Sequence, residues 1–287
     1  MSDSHKQGDI DWRYLQPGLR LATMLVACFC SIALALPASS PNVSISARGA
    51  LLEQPPKQLS VEQLRHLAQS LTVKVLSADV LGSGILIQKQ GEVYTVLTNA
   101  HVLRAAAPPY RIQTPDGHIY PVVELRVTSL QGNDLGLLQF RTDTVYPVAS
   151  LGASSTLALG DEVFASGFPF AATPPSPPSI GGGETGAQGF VFTTGKVSLV
   201  LGKALEGGYQ IGYTNDIKKG MSGGPLLNRR GEVVGVNGMH ASPLWDAPDL
   251  YQDGSSPSPA LQEQIIRFSW AVPIEKVVQR DPSSIGG

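Results

Sequence analysis

The sequence predicts an all-β fold, and three of its features lead to this prediction. About ten short runs of β-forming residues follow one another from position 71 to position 274, and no long helical pattern separates them. The 287 residues include 31 glycines and 22 prolines, which suit a protein rich in strands and turns. Closely spaced short strands without a fixed repeat period indicate a β-barrel or a β-sandwich.

The composition limits the functions that the chain can serve. Apolar residues make up 42% of it, which is enough for a core, and charged residues make up 15% with a formal net charge of −2. Because there is no basic excess, nucleic acid is not expected as a partner. The five histidines are scattered and no CxxC pair exists, so no metal site is predicted.

An apolar segment stands apart near the start of the chain. Residues 21–36, LATMLVACFCSIALAL, contain no charged residue, follow Arg20 and precede small residues. This arrangement predicts a secretory signal peptide over residues 1–38, with cleavage after Ala35 or Ala38. The alternative is a retained signal anchor, and only then do we expect attachment to a membrane. Both cysteines lie in this segment, so the exported chain would contain no disulfide.

A linker and a short helix are predicted ahead of the β-rich part. Residues 39–59 are rich in Pro, Ser and Ala, which is typical of a linker. The next stretch, SVEQLRHLAQSL, begins with Ser60 and carries Gln63 three residues later. This spacing is a capping box, and it predicts an amphipathic helix of about two or three turns.

The β pattern begins directly after this helix. Three runs are predicted as strands broken by glycines and polar turns: Leu71–Val80, Gly84–Gln88 and Val93–Thr98. The same pattern returns in HIYPVVELRVTS, DLGLLQFRT, DEVFASGFP, GFVFTTGKVSLVL, YQIGYTN, GEVVGVNG and RFSWAVPI. Two segments rich in Pro, Gly and Ser, 171–189 and 242–260, interrupt it and are predicted as long surface loops.

A glycine-flanked serine, Ser222 in IKKGMSGGPLLNRRGEVVGVNG, is the main functional candidate. Three interpretations compete: the G-x-S-x-G elbow of an α/β-hydrolase, a protease-like nucleophile, and a plain turn. An elbow leads into a helix and is followed by an acid and then a histidine. Here a hairpin follows, and the nearby acids come after His240, the one downstream histidine. The elbow interpretation is therefore rejected.

Two other polar residues extend the pattern upstream of Ser222. His101 follows the run Val93–Thr98 in TNAHVL, and Asp134 begins another apolar run in NDLGLLQF. The order of these three residues resembles that of the chymotrypsin/trypsin-like serine peptidases, most closely the bacterial Deg/HtrA-type protease domain. The resemblance covers roughly residues 71–277, without a recognisable PDZ-like segment after it. Its motifs, in order, are GSGILI, TNAHVL, NDLGLLQF, GDEVFASGFPF, TTGKVS, GMSGGPLLN, GEVVGVN and AVPI.

This resemblance implies a chymotrypsin-like, all-β domain over residues 60–281. It would contain two perpendicular six-stranded antiparallel Greek-key barrels, barrel one over about 71–155 and barrel two over about 156–280. His101 and Asp134 would come from barrel one and Ser222 from barrel two, so that the triad lies in the cleft between them. The loops 171–189 and 242–260 would border this cleft.

The resemblance also implies a role for each site residue. His101 would accept the proton of the Ser222 hydroxyl and return it to the leaving amine. Asp134 would orient the imidazole and stabilise its protonated form. The N–H groups of Gly220 and Ser222 would form the oxyanion hole, and no metal or cofactor is implied. Met221 replaces the Asp of animal digestive members, so activation through a newly cut N-terminus is not expected.

Side-chain specificity stays open at this level. Asp216 lies six residues before the serine, the offset at which trypsins place the acid that binds Arg or Lys. Deg-type relatives prefer small aliphatic side chains instead, and Lys218 would be close enough to pair with Asp216. By the same resemblance, Val236, Asn237 and Gly238 are expected to contact substrate together with Asp216.

Two classes of function follow from these residues. The first is an exported serine endopeptidase that acts on polypeptides in the bacterial periplasm or outside the cell, with membrane anchoring if residues 21–36 are retained. The second is a resting or non-proteolytic, chaperone-like module that binds peptides on the same fold. The sequence predicts no oligomeric state.

Overall fold

The computed structural model describes residues 58–77, 80–125, 127, 130, 132–170, 189–241 and 249–278. The predicted signal segment 1–38, nearly all of the predicted linker 39–59 and most of the predicted loop 171–189 lie outside these residues. In the described part of the chain, no helix is long and apolar enough to cross a membrane.

The predicted N-terminal helix is α1 (Val61–Leu71). Its capping box is complete, because the Gln63 N–H donates to Ser60 Oγ at 3.2 Å and the Ser60 N–H donates to Gln63 Oε1 at 2.9 Å. The helix buries Leu64, Ala68 and Leu71, whose spacing places them on one face. The prediction of a short N-terminal helix is confirmed.

The first sheet contains seven hydrogen-bonded strands, two of which form one bent strand. Its order is β5-β4-β1-β2-β3-β7-β6. Only Val122 separates β5 from β6, so the bent segment 119–125 pairs with β4 through its first half and with β7 through its second. This segment therefore joins the sheet into a barrel-like ring of six. The strands are β1 (Thr72–Leu76), β2 (Val80–Gln90), β3 (Val93–Thr98), β4 (Arg111–Gln113), β5 (Ile119–Pro121), β6 (Val123–Leu125) and β7 (Gly136–Arg141).

The second sheet is a closed barrel of six antiparallel strands in the order β10-β13-β12-β11-β8-β9. In the described ranges, three short α-helices connect or follow the strands of the two barrels: α2 (Ala100–Arg104), α3 (Pro259–Ile265) and α4 (Glu275–Val278). Their few residues leave no helical period for a sequence to display. The strands are β8 (Glu162–Gly167), β9 (Val191–Val200), β10 (Ile211–Tyr213), β11 (Pro225–Leu227), β12 (Val233–Met239) and β13 (Ser269–Pro273).

The boundary between the first two strands differs from the prediction. β1 ends at Leu76, and β2 runs without a break through Gly82 and Gly84. A Cβ on Gly82 would lie 2.8 Å from the side chain of Val102, and a Cβ on Gly84 would lie 2.6 Å from that of Val96. The glycines therefore mark close packing inside a strand and not the turn that the sequence indicated.

Apolar side chains of α1 and of both barrels meet in one continuous cluster. It includes Leu71, Ile85 and Leu137 on one side and Phe164 and Leu227 on the other. Because this cluster packs the barrels against each other, loops at their junction have defined relative positions. The all-β, two-barrel fold class is confirmed.

Candidate active site

His101 lies in the first turn of α2, directly after β3. Asn99 is the N-cap of this helix by backbone geometry, but its side chain makes no capping hydrogen bond. The carboxylate of Asp134 takes over this function, because Asp134 Oδ1 accepts the backbone N–H of His101 at 2.8 Å. The same contact that completes the helix end therefore brings the carboxylate to the histidine.

Asp134 lies two residues before β7, in a segment that is held from both sides. Its backbone carbonyl accepts the Asn99 amide at 2.7 Å, and its backbone N–H donates to the carbonyl of Gly207 at 2.7 Å. The second bond connects barrel one to the turn that precedes β10. The Asp134 side chain is only 8% exposed, whereas the His101 side chain is 40% exposed.

Four donors from the described part of the chain surround the Asp134 carboxylate. His101 Nδ1 and the Tyr209 hydroxyl each lie 2.5 Å from Oδ2, while Oδ1 accepts the His101 N–H and has Arg104 at 3.5 Å. Burial opposes ionisation, but the hydrogen bonds and charge of His101 and the hydrogen bond from Tyr209 hold the pKa of Asp134 below its ordinary value. The carboxylate is therefore ionised at neutral pH.

Ser222 lies on a tight loop between β10 and β11 that two left-handed glycines shape. Gly220 has φ +95° and Gly223 has φ +86°, which other residues adopt only with strain. The loop is closed by hydrogen bonds from the Met221 N–H to the Lys218 carbonyl at 2.9 Å and from the Gly224 N–H to the Met221 carbonyl at 3.1 Å. Met221 itself is fully buried in the core of barrel two.

The Ser222 hydroxyl donates to the Gly238 carbonyl at 3.2 Å and makes no hydrogen bond to His101. Within the described residues, the backbone N–H groups of Gly220 and Ser222 have no acceptor. Gly220 is also crowded, since a Cβ there would lie 2.5 Å from the Phe168 carbonyl and 2.7 Å from the Phe170 nitrogen. One N–H group on each side of Met221 is therefore available to donate a hydrogen bond.

Ser83 in β2 connects barrel one to the loop of Ser222. Its N–H donates to the Ser222 carbonyl at 2.8 Å, and its Oγ donates to the Gly220 carbonyl at 2.8 Å. The same Oγ accepts the Phe168 N–H at 2.9 Å. One fully buried serine therefore makes three contacts with the loop and the strand end that supports it.

A cleft of about 720 Å³ adjoins the loop that carries Ser222. The structure brings His101, Asp134, Ser222 and Gly220 together in it. The cleft also contains His240, which the sequence did not distinguish from ordinary surface histidines. Its other walls are formed by Val102, Arg104, Ala105, Phe170, Glu206, Gly207, Tyr209, Lys219, Gly238, Met239, Asp249 and Leu250. No group of three metal-ligating side chains occurs among the described residues.

Three of the four residues expected to bind substrate lie elsewhere. Asp216 is 79% exposed and pairs with Lys218 at 3.8 Å, outside the cleft lining. Val236 and Asn237 are fully buried in β12, where the Asn237 amide donates to the carbonyl of Pro225 at 2.9 Å. Their side chains face the interior of barrel two, so substrate contact at these two positions stays a prediction. Gly238, where β12 reaches the cleft, is the one that lines it.

Tyr209, Asn99 and Ser83 are site residues that the sequence analysis did not identify. A buried carboxylate needs donors, but nothing in the sequence indicates that a tyrosine 75 positions after Asp134 supplies one. For Asn99 and Ser83 the available signal was their place in the motifs TNAHVL and GSGILI.

Comparisons with known proteins agree with this geometry. A family model described as "Trypsin-like peptidase domain" matches residues 82–236, more than half of the chain. "Serine protease Do-like HtrA" of Bacillus subtilis is 33% identical over 162 residues, 56% of this chain and 34% of the relative. "Putative serine protease HhoA" of Synechocystis sp. is 34% identical over 157 residues, which are 54% of this chain and 36% of the relative. "Serine protease HTRA2, mitochondrial" of Drosophila willistoni is 33% identical over 159 residues, which are 55% of this chain and 33% of the relative.

These matches confirm the resemblance that the motifs indicated. The matched segment spans about a third of the length of the relatives.

Proposed function

Because the chain belongs to the trypsin-like peptidase domain family, we propose that it is a serine endopeptidase that hydrolyses peptide bonds in polypeptide substrates. The observation that carries this proposal is the 2.5 Å hydrogen bond between His101 Nδ1 and Asp134 Oδ2 in a cleft that also contains the Ser222 hydroxyl. The printed names of the three relatives, all serine proteases, support the same activity.

The proposed reaction begins with proton transfer from Ser222 to His101. Asp134 holds the imidazole by Nδ1, so the other ring nitrogen, Nε2, is the one that accepts the proton as Ser222 Oγ attacks the scissile carbonyl. Rotation about the Cα–Cβ bond of Ser222 would release its hydroxyl from the Gly238 carbonyl and turn it toward His101. The imidazolium then protonates the leaving amine, and water repeats the sequence to release the acyl group.

The negative charge of the tetrahedral intermediate needs hydrogen-bond donors. We assign these donors to the N–H groups of Gly220 and Ser222, which have no acceptor among the described residues and belong to residues that line the cleft. One such donor contributes about 3–4 kcal/mol of transition-state stabilisation in serine proteases. Gly220 suits this function because its left-handed backbone turns the loop without strain.

One observation favours the second candidate, a resting module that binds peptides. The Ser222 hydroxyl donates to the Gly238 carbonyl and not to His101, so the proton path that catalysis needs is not yet formed. In a purely binding protein this arrangement would persist when an unfolded chain occupies the cleft.

Export to the bacterial periplasm or the medium is a further part of the proposal. It rests on residues 21–36 and the small residues after them, while the relatives differ, since HTRA2 is named mitochondrial. Expression in a bacterium followed by intact-mass measurement tests it. Cleavage would remove about 35–38 residues, whereas a full-length chain recovered from membranes would indicate a retained anchor.

Hydrolysis of an unfolded protein distinguishes the two candidates. Wild type should cleave reduced, unfolded casein, whereas Ser222→Ala and His101→Ala should lose this cleavage and still fold. If folded wild type binds casein as tightly as Ser222→Ala does and cleaves none of it, the peptidase proposal is wrong and the binding module replaces it.

A further inference from the structure

Among the described residues, the Tyr209 hydroxyl is the one donor to the Asp134 carboxylate that comes from barrel two. It lies 2.5 Å from Oδ2, the same oxygen that receives His101 Nδ1. We propose that Tyr209 is a positioning residue for catalysis, which orients the Asp134 carboxylate and thereby the imidazole of His101. This inference rests on the proposed peptidase function and assigns a further residue to its machinery.

Gly238 supports this assignment by leaving room for the hydroxyl. A Cβ at this position would lie 2.2 Å from Tyr209 Oη and 2.5 Å from Cε1, so any other residue would displace the ring. The same glycine offers its carbonyl to the Ser222 hydroxyl. Gly238 therefore contacts both the Tyr209 ring and the Ser222 hydroxyl in this wall of the cleft.

The turn that carries Tyr209 is docked on the acid. Gly207 accepts the Asp134 N–H at 2.7 Å, and the Leu205 N–H donates to the Tyr209 carbonyl at 2.9 Å. Gly207 and Gly208 have φ +74° and +85°, and a Cβ on Gly208 would lie 2.4 Å from Asn133 Oδ1. Because both glycines adopt the left-handed conformation, this turn approaches Asp134 closely enough for the Tyr209 side chain to reach the carboxylate.

The geometry predicts how the hydroxyl acts. With Tyr209 present, Oδ2 divides its negative charge between two donors, and the carboxylate cannot rotate away from His101 without breaking one of them. Without the hydroxyl, His101 is the one donor to Oδ2 that remains among the described residues. The imidazolium is then bound more strongly in the resting enzyme, while the orientation of the ring is less restricted.

Other charged groups near this site are part of the same electrostatic balance. Arg104 faces Asp134 from α2, as His101 does. The remaining charged or titratable side chains of the cleft walls are Glu206, Lys219, His240 and Asp249. None of them is altered in the variants below, so a change in pH dependence reports the hydroxyl itself.

The test compares wild type with Tyr209→Phe over about pH 5 to 10 on a peptide that wild type cleaves. We expect kcat/KM to fall by about 10-fold to 100-fold, mainly through kcat, as for loss of a hydrogen bond to a charged group. We also expect the acidic limb of the profile to move to higher pH. In proton NMR spectra, the resonance of the His101 Nδ1–H should change its chemical shift.

Tyr94→Phe is the matched control. The Tyr94 hydroxyl is also buried, and it donates to the carbonyls of Thr144 and Tyr146 at 3.3 Å inside barrel one. This variant should lose stability but keep the acidic limb and the His101 resonance of wild type. Gly238→Ala, which displaces the Tyr209 hydroxyl without removing it, should change the His101 resonance as Tyr209→Phe does.

The inference would be overturned if wild type is active and Tyr209→Phe folds but shows an unchanged kcat/KM, acidic limb and His101 resonance. A wild type that cleaves nothing would instead contradict the peptidase proposal. The resonance of His101 then still tests the role of Tyr209, because it reports the bond to Asp134 without turnover.

Discussion

The backbone N–H of Ser83 donates to the carbonyl of Ser222 at 2.8 Å, so a strand of barrel one is bonded directly to the proposed nucleophile on barrel two. The Ser83 hydroxyl continues this connection by binding the Gly220 carbonyl and the Phe168 N–H. The conformation of the loop that carries Gly220 and Ser222 therefore depends on the contact between the barrels as well as on its own glycines.

Ser83→Ala removes both side-chain bonds and leaves the backbone bond in place. We expect kcat to fall by about 10-fold or more with a small change in KM, because the loop that carries Gly220 loses its support. The free energy of unfolding should fall by about 1–2 kcal/mol. Steady-state kinetics and urea unfolding measure the two effects.

Ser166→Ala is the control for this prediction. Ser166 is also fully buried, but its hydroxyl contacts Thr72 at 3.0 Å and not the loop that carries Gly220 and Ser222. It should lose similar stability and keep kcat within about twofold. Equal losses of kcat in the two variants would show that the effect of Ser83 is general destabilisation.

Gly220→Ala should abolish most of the activity. A Cβ would collide with the Phe168 carbonyl at 2.5 Å and the Phe170 nitrogen at 2.7 Å, in addition to the strain of φ +95°. The loop must move, and with it the proposed oxyanion donors, so we expect a fall in kcat of about 100-fold or more. Gly117→Ala has nearly the same backbone strain at φ +89° but no atom within 4 Å, and it should retain activity. Comparable kinetics for the two variants would contradict this account.

Asp216→Asn should leave side-chain preference unchanged. Asp216 is 79% exposed, pairs with Lys218 at the surface and does not line the cleft. Such surface pairs contribute at most about 1 kcal/mol to stability. Cleavage-site profiling of a peptide library by mass spectrometry measures the preference. Loss of cleavage after Arg or Lys in the variant would show that Asp216 reaches the substrate after all.

Asp116 should make the fold sensitive to acid. Burial opposes its ionisation, but hydrogen bonds from Thr114, Tyr146 and His118 lower its pKa to about 2. Because the folded pKa lies below the unfolded value of about 3.9, this group stabilises the fold above about pH 4. That stability is lost as pH falls through about 2.

Asp116→Asn should therefore reduce the free energy of unfolding by about 1 kcal/mol at neutral pH, and the difference should vanish toward pH 2. Partial exposure of the carboxylate keeps the effect below what the pKa change alone implies. Urea unfolding followed across pH measures this difference. A constant difference for Asp116→Asn across this range would contradict the assignment.

The sequence predicted best those features that are determined locally. The capping box of Ser60 and Gln63 specifies the start of α1 with neighbouring residues alone. His101, Asp134 and Ser222 were selected by their motifs and order, and the structure brings them into one cleft. Their catalytic roles stay a prediction.

Features that depend on tertiary contacts were missed or misplaced. The offset of Asp216 from Ser222 does not specify the direction of a side chain, and in this loop the residue faces solvent beside Lys218. Tyr209 becomes a partner of Asp134 only because the turn before β10 docks on barrel one. Neither outcome can be deduced from spacing along the chain.

Reaction with a fluorophosphonate tests the central claim most directly. Intact-mass measurement of the folded protein, with peptide mapping of the adduct, should show one phosphonyl group on Ser222. His101→Ala should remove this adduct, and Asp134→Asn should slow its formation by roughly 10³-fold or more. A folded wild type that stays unmodified, or an adduct on another residue, would contradict the assignment of His101, Asp134 and Ser222 as a working catalytic triad.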